Sequence, residues 1–301
     1  MQLKIHGREF ESPHLHQINR NDMPRSIDEF TDKIINGNSF DIIQEIPDES
    51  INLIVTSPPY FGLRSYGDET LGREHHPLEY VDNLVNLFDK CRRILSKDGS
   101  MYVNLGDVYF GIKNFNEGFG SSSKHRRKTH KHYGKHQIVS EDGKYLQNKQ
   151  LLLIPPRFAM KMQDKGWLLR NQILWKKPNP VPSFSFDRRI PSYEYVYHFV
   201  KSKNYYFDYN LAKKLNHHYD IVECGIEPFS GHQASFPEKF IYPFIVTTSK
   251  ENDIVLDPFM GSGTVAVICK KKKRHYIGIE LNKEYCEKAE IRVLNSETLW
   301  T

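Results

Sequence analysis

The chain has 301 residues, room for one large α/β domain or two modest ones with a sizeable core. With 39% hydrophobic and 26% charged residues it has the composition of an ordinary globular protein, and no apolar stretch reaches membrane-spanning length. The net charge of +5 is local: residues 111–150 hold nine Lys/Arg against three Asp/Glu, which leaves the remainder close to neutral.

Residues 1–30 are polar and mixed and are expected to form an arm; Met1 to Arg8 lack the apolar segment of a secretory signal. Asp32 to Asn38 predicts a short strand ending in a turn, and Ser39 to Glu45 a helix with Ile42, Ile43 and Ile46 available for burial. Ile51 to Thr56 is a β-rich run stopped by Ser57-Pro58-Pro59-Tyr60, since two prolines remove backbone donors. From Tyr80 to Leu95, Val81, Leu84, Leu87, Phe88, Cys91, Ile94 and Leu95 recur at helical spacing. Lys97-Asp98-Gly99 closes that helix, and Ser100 to Leu105 reads as the next strand, completing a parallel α/β unit.

Residues 110–150, rich in Gly, Ser, Lys and His, predict a long loop. Its charge admits a polyanion contact or merely a solvated segment. Regular structure resumes at Ile154-Pro155-Pro156, with a helix near Arg157–Lys165 and strands near Leu168–Trp175 and Glu194–Val200. Residues 203–232 are expected to be irregular. A last α/β unit begins at Pro237, with strands near Ile254–Leu256 and Tyr276–Ile279. Lys270–Arg274 suits a solvated helix C-terminus. Cys91, Cys224, Cys269 and Cys286 form no CxxC pair, which excludes a zinc ribbon and points to a reducing, cytoplasmic setting. His125, His130, His132 and His136 lack acidic or cysteine partners at ligand spacing, so no metal site is expected.

Two loops carry chemistry. Asp257-Pro258-Phe259-Met260-Gly261-Ser262-Gly263-Thr264 joins a strand to a helix, and its glycines let the backbone turn sharply and approach a ligand. Glu280, 23 positions after Asp257, ends the following strand. A Gly-rich turn after one strand and an acid at the end of the next suits an adenosine ligand, the acid accepting from ribose hydroxyls. A dinucleotide would prefer GxGxxG facing a pyrophosphate; Asp257 and the bulky Phe259 fit a cationic, phosphate-free end better. The second loop, Ser57-Pro58-Pro59-Tyr60, would project into a ligand crevice and offers a hydroxyl, fixed carbonyls and a ring on which a planar base can stack.

Together the loops resemble those of the amino-methylating DNA methyltransferases. Ser57-Pro58-Pro59-Tyr60 is similar to that family's catalytic (D/N/S)PP(Y/F) motif, and Asp257–Thr264 to its S-adenosylmethionine motif, in the permuted order of the β group. Gly62 to Gly67, Asn104-Leu105-Gly106-Asp107, Trp175 to Pro180 and Phe236 to Phe240 add to the resemblance, which covers most of residues 33–293. It implies a Rossmann-like methyltransferase domain over residues 31–301, a mixed seven-stranded sheet with helices on both faces. It also implies S-adenosylmethionine as cofactor, held by Asp257, Pro258, Phe259, Gly261, Ser262, Gly263, Thr264 and Glu280, with Phe236 and Pro237. Relatives often place Asp after a Gly ahead of the catalytic loop to contact the cofactor adenine; here Asn38 stands there, and it too can bond an amino group.

The resemblance further implies methyl transfer to an exocyclic amine of a base flipped out of double-stranded DNA. A Ser at the first motif position favours cytosine N4, with adenine N6 the alternative. Attack at C5 of cytosine would need a cysteine nucleophile in a loop, and Cys91, Cys269 and Cys286 sit in expected helices. Lys124, Arg126, Arg127, Lys128 and Lys131 are expected to grip phosphate, and segments 111–150 and 203–232 to read the site. RNA as acceptor, or a DNA-binding module without activity, are the competing readings. A cognate restriction endonuclease fits as a partner, and a monomer or a homodimer fits the chain equally.

Overall fold

The computed structural model describes residues 25–62, 71–74, 76–110, 137–139, 145–147, 149–180, 186–226 and 237–296. Its elements run β1 (Lys33–Asn36), α1 (Ser39–Glu45), β2 (Ile51–Thr56), α2 (Pro77–Ile94), β3 (Leu95–Leu105), β4 (Gln137–Val139), β5 (Tyr145–Gln147), α3 (Ile154–Asp164), β6 (Leu168–Lys176), β7 (Tyr193–Val200), α4 (Tyr209–Lys214), β8 (Ile221–Glu223), α5 (Glu238–Thr248), β9 (Ile254–Asp257), α6 (Thr264–Lys271), β10 (His275–Glu280) and α7 (Lys283–Asn295).

Local chemistry explains the long elements. In α2, Pro77 occupies the first turn, where its missing N–H costs nothing, and the His76 ring accepts from Leu78 N at 3.1 Å. Its apolar stripe, Val81, Leu84, Phe88 and Cys91, is wholly buried. β2 is buried along almost its whole length, as expected of a parallel strand covered on both faces.

Among the described residues the main sheet has eight strands, in the order β1-β10-β9-β2-β3-β7-β6-β8. The first five are mutually parallel; β7 runs antiparallel to β3 and to β6. The expected seven-stranded mixed sheet is present, with β8 added beside β6 through Leu174↔Ile221 to Lys176↔Glu223. That edge strand and α4 lie in the segment expected to be irregular. Trp175 fixes the edge, its indole N–H donating to the Cys224 carbonyl at 2.8 Å. The 110–150 segment, expected to be one long loop, contains the β4–β5 hairpin. β3 starts five residues before its expected first residue, with a register shift against β2 around Lys97–Gly99. Phe30, at the end of the expected arm, is buried in the core.

Helices cover both faces. One core layer gathers α1, α2 and α3 through Ile43, Phe88 and Phe158. The other gathers α5, α6 and α7 through Phe240, Val265 and Ala289. The central pair β9 and β2 is where the chain changes direction across the sheet. After β9 it moves to β10 on one side, and after β2 to β3 on the other. A crevice opens at the carboxyl ends of such a pair, where ligands of open α/β sheets bind. No helix among the described residues is long and apolar enough to cross a membrane.

Candidate active site

The two chemistry-bearing loops leave β9 and β2 side by side and are bonded to each other. Thr56 Oγ1 donates to Asp257 Oδ1 at 2.6 Å, and the same oxygen accepts the Phe259 N–H at 3.0 Å. Asp257 is 3% exposed, and burial pushes its carboxyl up to about 7, with Glu280 adding to the rise. Ser39 donates from its hydroxyl to the Pro258 carbonyl, tying the loop to α1.

Glycine is required where the loop turns. Gly263 has φ +81°, and a Cβ there would stand 3.0 Å from that of Ala289, so α7 packs directly on the loop backbone. Glu280 closes the other side: its carboxylate accepts from Gly261 N at 2.9 Å and from Asn282 N at 2.8 Å. Ser262 and Thr264 are buried. Arg292 of α7 holds the loop from behind, donating to the Ser262 carbonyl (3.1 Å), Ser262 Oγ (3.2 Å) and Thr264 Oγ1 (3.0 Å), and to Glu238 Oε1 (2.9 Å). Glu238 also pairs with Lys271 at 2.9 Å. Pro237, the N-cap of α5, is thereby joined to the loop through its neighbour. Phe236 lies outside the described residues. Asn38 caps α1, its Oδ1 accepting from Phe40 N at 2.9 Å, a structural task the sequence reading did not assign.

At the second loop, Tyr60 is anchored at its hydroxyl. It donates to Glu194 Oε2 at 2.7 Å and lies 3.1 Å from Asn104 Oδ1. Burial, and then the charge of Glu194, hold the phenol well above its usual range. The ring rests on Gly106, where a Cβ would come within 2.6 Å of Tyr60 Cε2. Glu194 is paired on its other oxygen with Lys177, whose ammonium sits 4.3 Å from the Trp175 ring centroid. Asn104 Nδ2 donates to the Tyr195 carbonyl at 3.0 Å, which fixes its oxygen towards the loop. Ser57 Oγ is 3.5 Å from that oxygen and 3.4 Å from the Tyr60 hydroxyl, both long contacts. Tyr80 donates to the Pro59 carbonyl at 2.7 Å, pinning the loop to α2.

Ser57, Pro58, Pro59, Tyr60, Asp257 to Thr264 and Glu280 are therefore brought to the carboxyl ends of the adjacent parallel strands β2, β9 and β10. Gly62 has φ +71° and donates to the Gly72 carbonyl at 2.9 Å; Leu63 to Gly67 lie outside the described residues. So do Lys124, Arg126, Arg127, Lys128 and Lys131, and the four loop histidines. Cys91, Cys269 and Cys286 are buried in α2, α6 and α7, and burial raises the thiols, that of Cys91 to about 12 and that of Cys286 to about 11. None is poised as a nucleophile. Sequence reading missed Glu194 and Arg292. The available signal for Glu194 was a lone carboxylate near the start of an otherwise aromatic and apolar strand.

The residues fit a cationic adenosine ligand. The loop is flanked by two carboxylates, Asp257 and Glu280. The cation behind it, Arg292, is spent on loop oxygens and Glu238. A diphosphate would need the reverse arrangement.

Comparison with known proteins gives one consistent result. A family model for DNA methylases of the N6/N4 type matches residues 51–291. The type II methyltransferase M.Cfr9I of Citrobacter freundii is 36% identical over 274 residues, 88% of each chain. M.SmaI of Serratia marcescens is 35% identical over 275 residues, 87% of this chain and 90% of that one. Among solved structures, the cytosine-N4-specific PvuII DNA methyltransferase superposes with a TM-score of 0.66 at 22% identity, covering 86% of this chain and 85% of the other. A putative DNA modification methylase of Thermus thermophilus, complexed with S-adenosyl-L-methionine, gives 0.61 at 21% identity, covering 88% and 93%.

Proposed function

The chain belongs to the DNA methylase family of N6/N4 amino-methyltransferases, and on that premise we propose that it is a type II modification enzyme that methylates N4 of a cytosine flipped out of duplex DNA. The methyl donor of the family is S-adenosylmethionine. One observation carries the assignment of the site. The Thr56–Asp257 hydrogen bond joins the loop that would hold the donor to the loop that would hold the base.

When bound, S-adenosylmethionine supplies an electrophilic methyl on a sulfonium. The donor pocket we assign comprises Asp257, Pro258, Phe259, Gly261, Ser262, Gly263, Thr264 and Glu280, bordered by Asn38, Phe236 and Pro237. Asp257 and Glu280 place negative charge beside a cationic ligand, and the buried Asp257 becomes ionised more readily once a cation lies against it.

An exocyclic amine is a poor nucleophile because its lone pair is delocalised into the ring. Ser57 Oγ and the Pro58 carbonyl accept its two N–H groups and favour a pyramidal nitrogen, whose lone pair then aligns for in-line transfer. The Ser57 hydroxyl has only long contacts, which supports its availability to a substrate. Pro59 is fixed by Tyr80, and Tyr60 presents its ring as a platform with the hydroxyl end clamped. Ser57 supports cytosine over adenine, since Ser at the first position of the family's catalytic motif goes mostly with cytosine and Asp or Asn mostly with adenine. Lys124, Arg126, Arg127, Lys128 and Lys131 supply phosphate contacts in this reading. The type II relatives support a cognate restriction endonuclease as functional partner.

The test is to incubate the protein with duplex DNA and labelled donor, digest to nucleosides and identify the product by mass spectrometry. N4-methylcytosine that disappears with Ser57→Ala is expected. N6-methyladenine would overturn the choice of base, and label in RNA alone would overturn DNA as the acceptor.

A further inference from the structure

Between β6 and β7 the chain crosses the crevice end of the sheet, and residues 186–193 of that crossing are described. Phe186 in this strap is 98% exposed. A single exposed apolar side chain needs no function on its own. Three further observations set this one apart.

The first is position. The strap feeds β7, whose second residue is Glu194, the partner of the Tyr60 hydroxyl. Two residues beyond Phe186, the Arg188 guanidinium stacks 3.9 Å from the Tyr109 ring centroid, and Tyr109 lies three residues past the Gly106 that carries the Tyr60 ring. The second is charge. The strap's one acid, Asp187, is paired with Lys149, while Arg188 and Arg189 follow it, so this surface is net basic. The third is continuity with the base of the 110–150 insertion. Tyr109 bridges Leu151, and Phe110 N donates to the Gln150 carbonyl at 2.7 Å, so Lys149 and Arg188 tie the strap to the root of the most basic segment of the chain. Ile190 and Tyr193, each 48% exposed, add to the exposed apolar residues of the strap.

We propose that residues 186–193 form a DNA-facing strap whose arginines contact phosphate and whose Phe186 wedges into the base stack beside the extruded base. The proposal rests on the reading of the chain as a base-flipping DNA methylase. An apolar ring that enters the stack offsets the cost of opening it, as apolar wedges do at kinked steps. A basic rim around the ring supplies the attraction that brings it to the duplex. A ring so exposed contributes nothing to folding, so its removal probes DNA alone.

The experiment maps the site that the wild-type enzyme methylates, then compares two synthetic duplexes carrying that site. One has the target base normally paired; the other has it opposite an abasic position, already free to leave the stack. Phe186→Ala is expected to slow methylation of the paired duplex about tenfold and to act within about twofold of wild type on the abasic duplex. Phe186→Trp should retain activity on both, and donor affinity and Tm should match wild type in each variant. Undiminished activity of Phe186→Ala on the paired duplex would overturn the proposal, as would an equal deficit on both duplexes. A wild-type protein that methylates no DNA would instead overturn the enzymatic reading beneath it, which separates the two failures.

Discussion

The two sides of the crevice are built differently. On the β9 side the loop is saturated from within: Asp257, Glu280, Arg292 and Ser39 occupy its backbone and hydroxyl groups, and α7 packs against Gly263. On the β2 side the order resides in a chain of side chains, Lys177 to Glu194 to Tyr60 to Asn104, that grips the far end of one ring and leaves Ser57 with long contacts only. A site for a ligand shared by every turnover can be finished before the ligand arrives. A site for a base that must be pulled from a duplex has to keep its acceptors open. If this division is right, damage on one side should change donor affinity and damage on the other should change turnover, with little crossing over.

The largest expected effect is on the base side. Gly106→Val would drive a branched side chain into the Tyr60 ring, and displacement by about 1 Å should lower methyl transfer roughly a hundredfold while donor affinity stays within about twofold. Isothermal titration with the donor beside turnover on DNA reads both, and a matching loss of donor affinity would break the comparison.

Next comes Arg292, which touches the loop but not the crevice. Arg292→Ala removes three charge-assisted bonds from Ser262 and Thr264, and the donor Kd should rise about tenfold with kcat at saturating donor nearly unchanged. Partial recovery by Arg292→Lys would separate positioning from simple packing.

The third test uses pH. Asp257 titrates near 7 in the folded protein against about 4 in an unfolded chain. The folded state therefore binds more protons between those values, so this group costs stability progressively as pH rises through the window, and the cost is complete above 7. Binding a cation favours the ionised carboxylate. Donor affinity of the wild type should thus climb several-fold from about pH 6 to 8, and Asp257→Asn should flatten the curve. An unchanged slope in the variant would remove Asp257 from the donor side.

The smallest effect sharpens the other half. Glu194→Gln keeps an acceptor for the Tyr60 hydroxyl but loses the pairing with Lys177, and kcat should fall about threefold to fivefold with donor affinity untouched. A change in donor Kd here would mean that the two sides communicate.

Both halves were partly legible in the sequence, for a reason visible in the distances along the chain. The Gly-rich loop and the Ser-Pro-Pro-Tyr loop announce themselves because each is a short run of residues with unusual backbone freedom, permissive in the glycines and restricted in the prolines, at a strand end. Glu194 meets Tyr60 across 134 positions and Arg292 meets Thr264 from another helix, and neither has a local pattern to betray it. α3 shows a subtler miss. Pro155 and Pro156 sit inside its first turn, where prolines cost little, so the helix begins three residues earlier than the expected Arg157. β8 escaped notice because three residues carry no readable periodicity; it exists through its pairing with β6.

The placement of β9 between β10 and β2 has a consequence for biosynthesis. β2, β3, β6 and β7 leave the ribosome well before β9 and β10, so the half-made sheet waits with the β2 edge uncovered. The donor loop follows late, and its bracing arginine, in α7, later still. A nascent or prematurely terminated chain that stops short of α7 therefore carries the Ser57–Tyr60 loop without the arginine that braces the Gly-rich loop, and the order of synthesis itself withholds a finished site until α7 has been made.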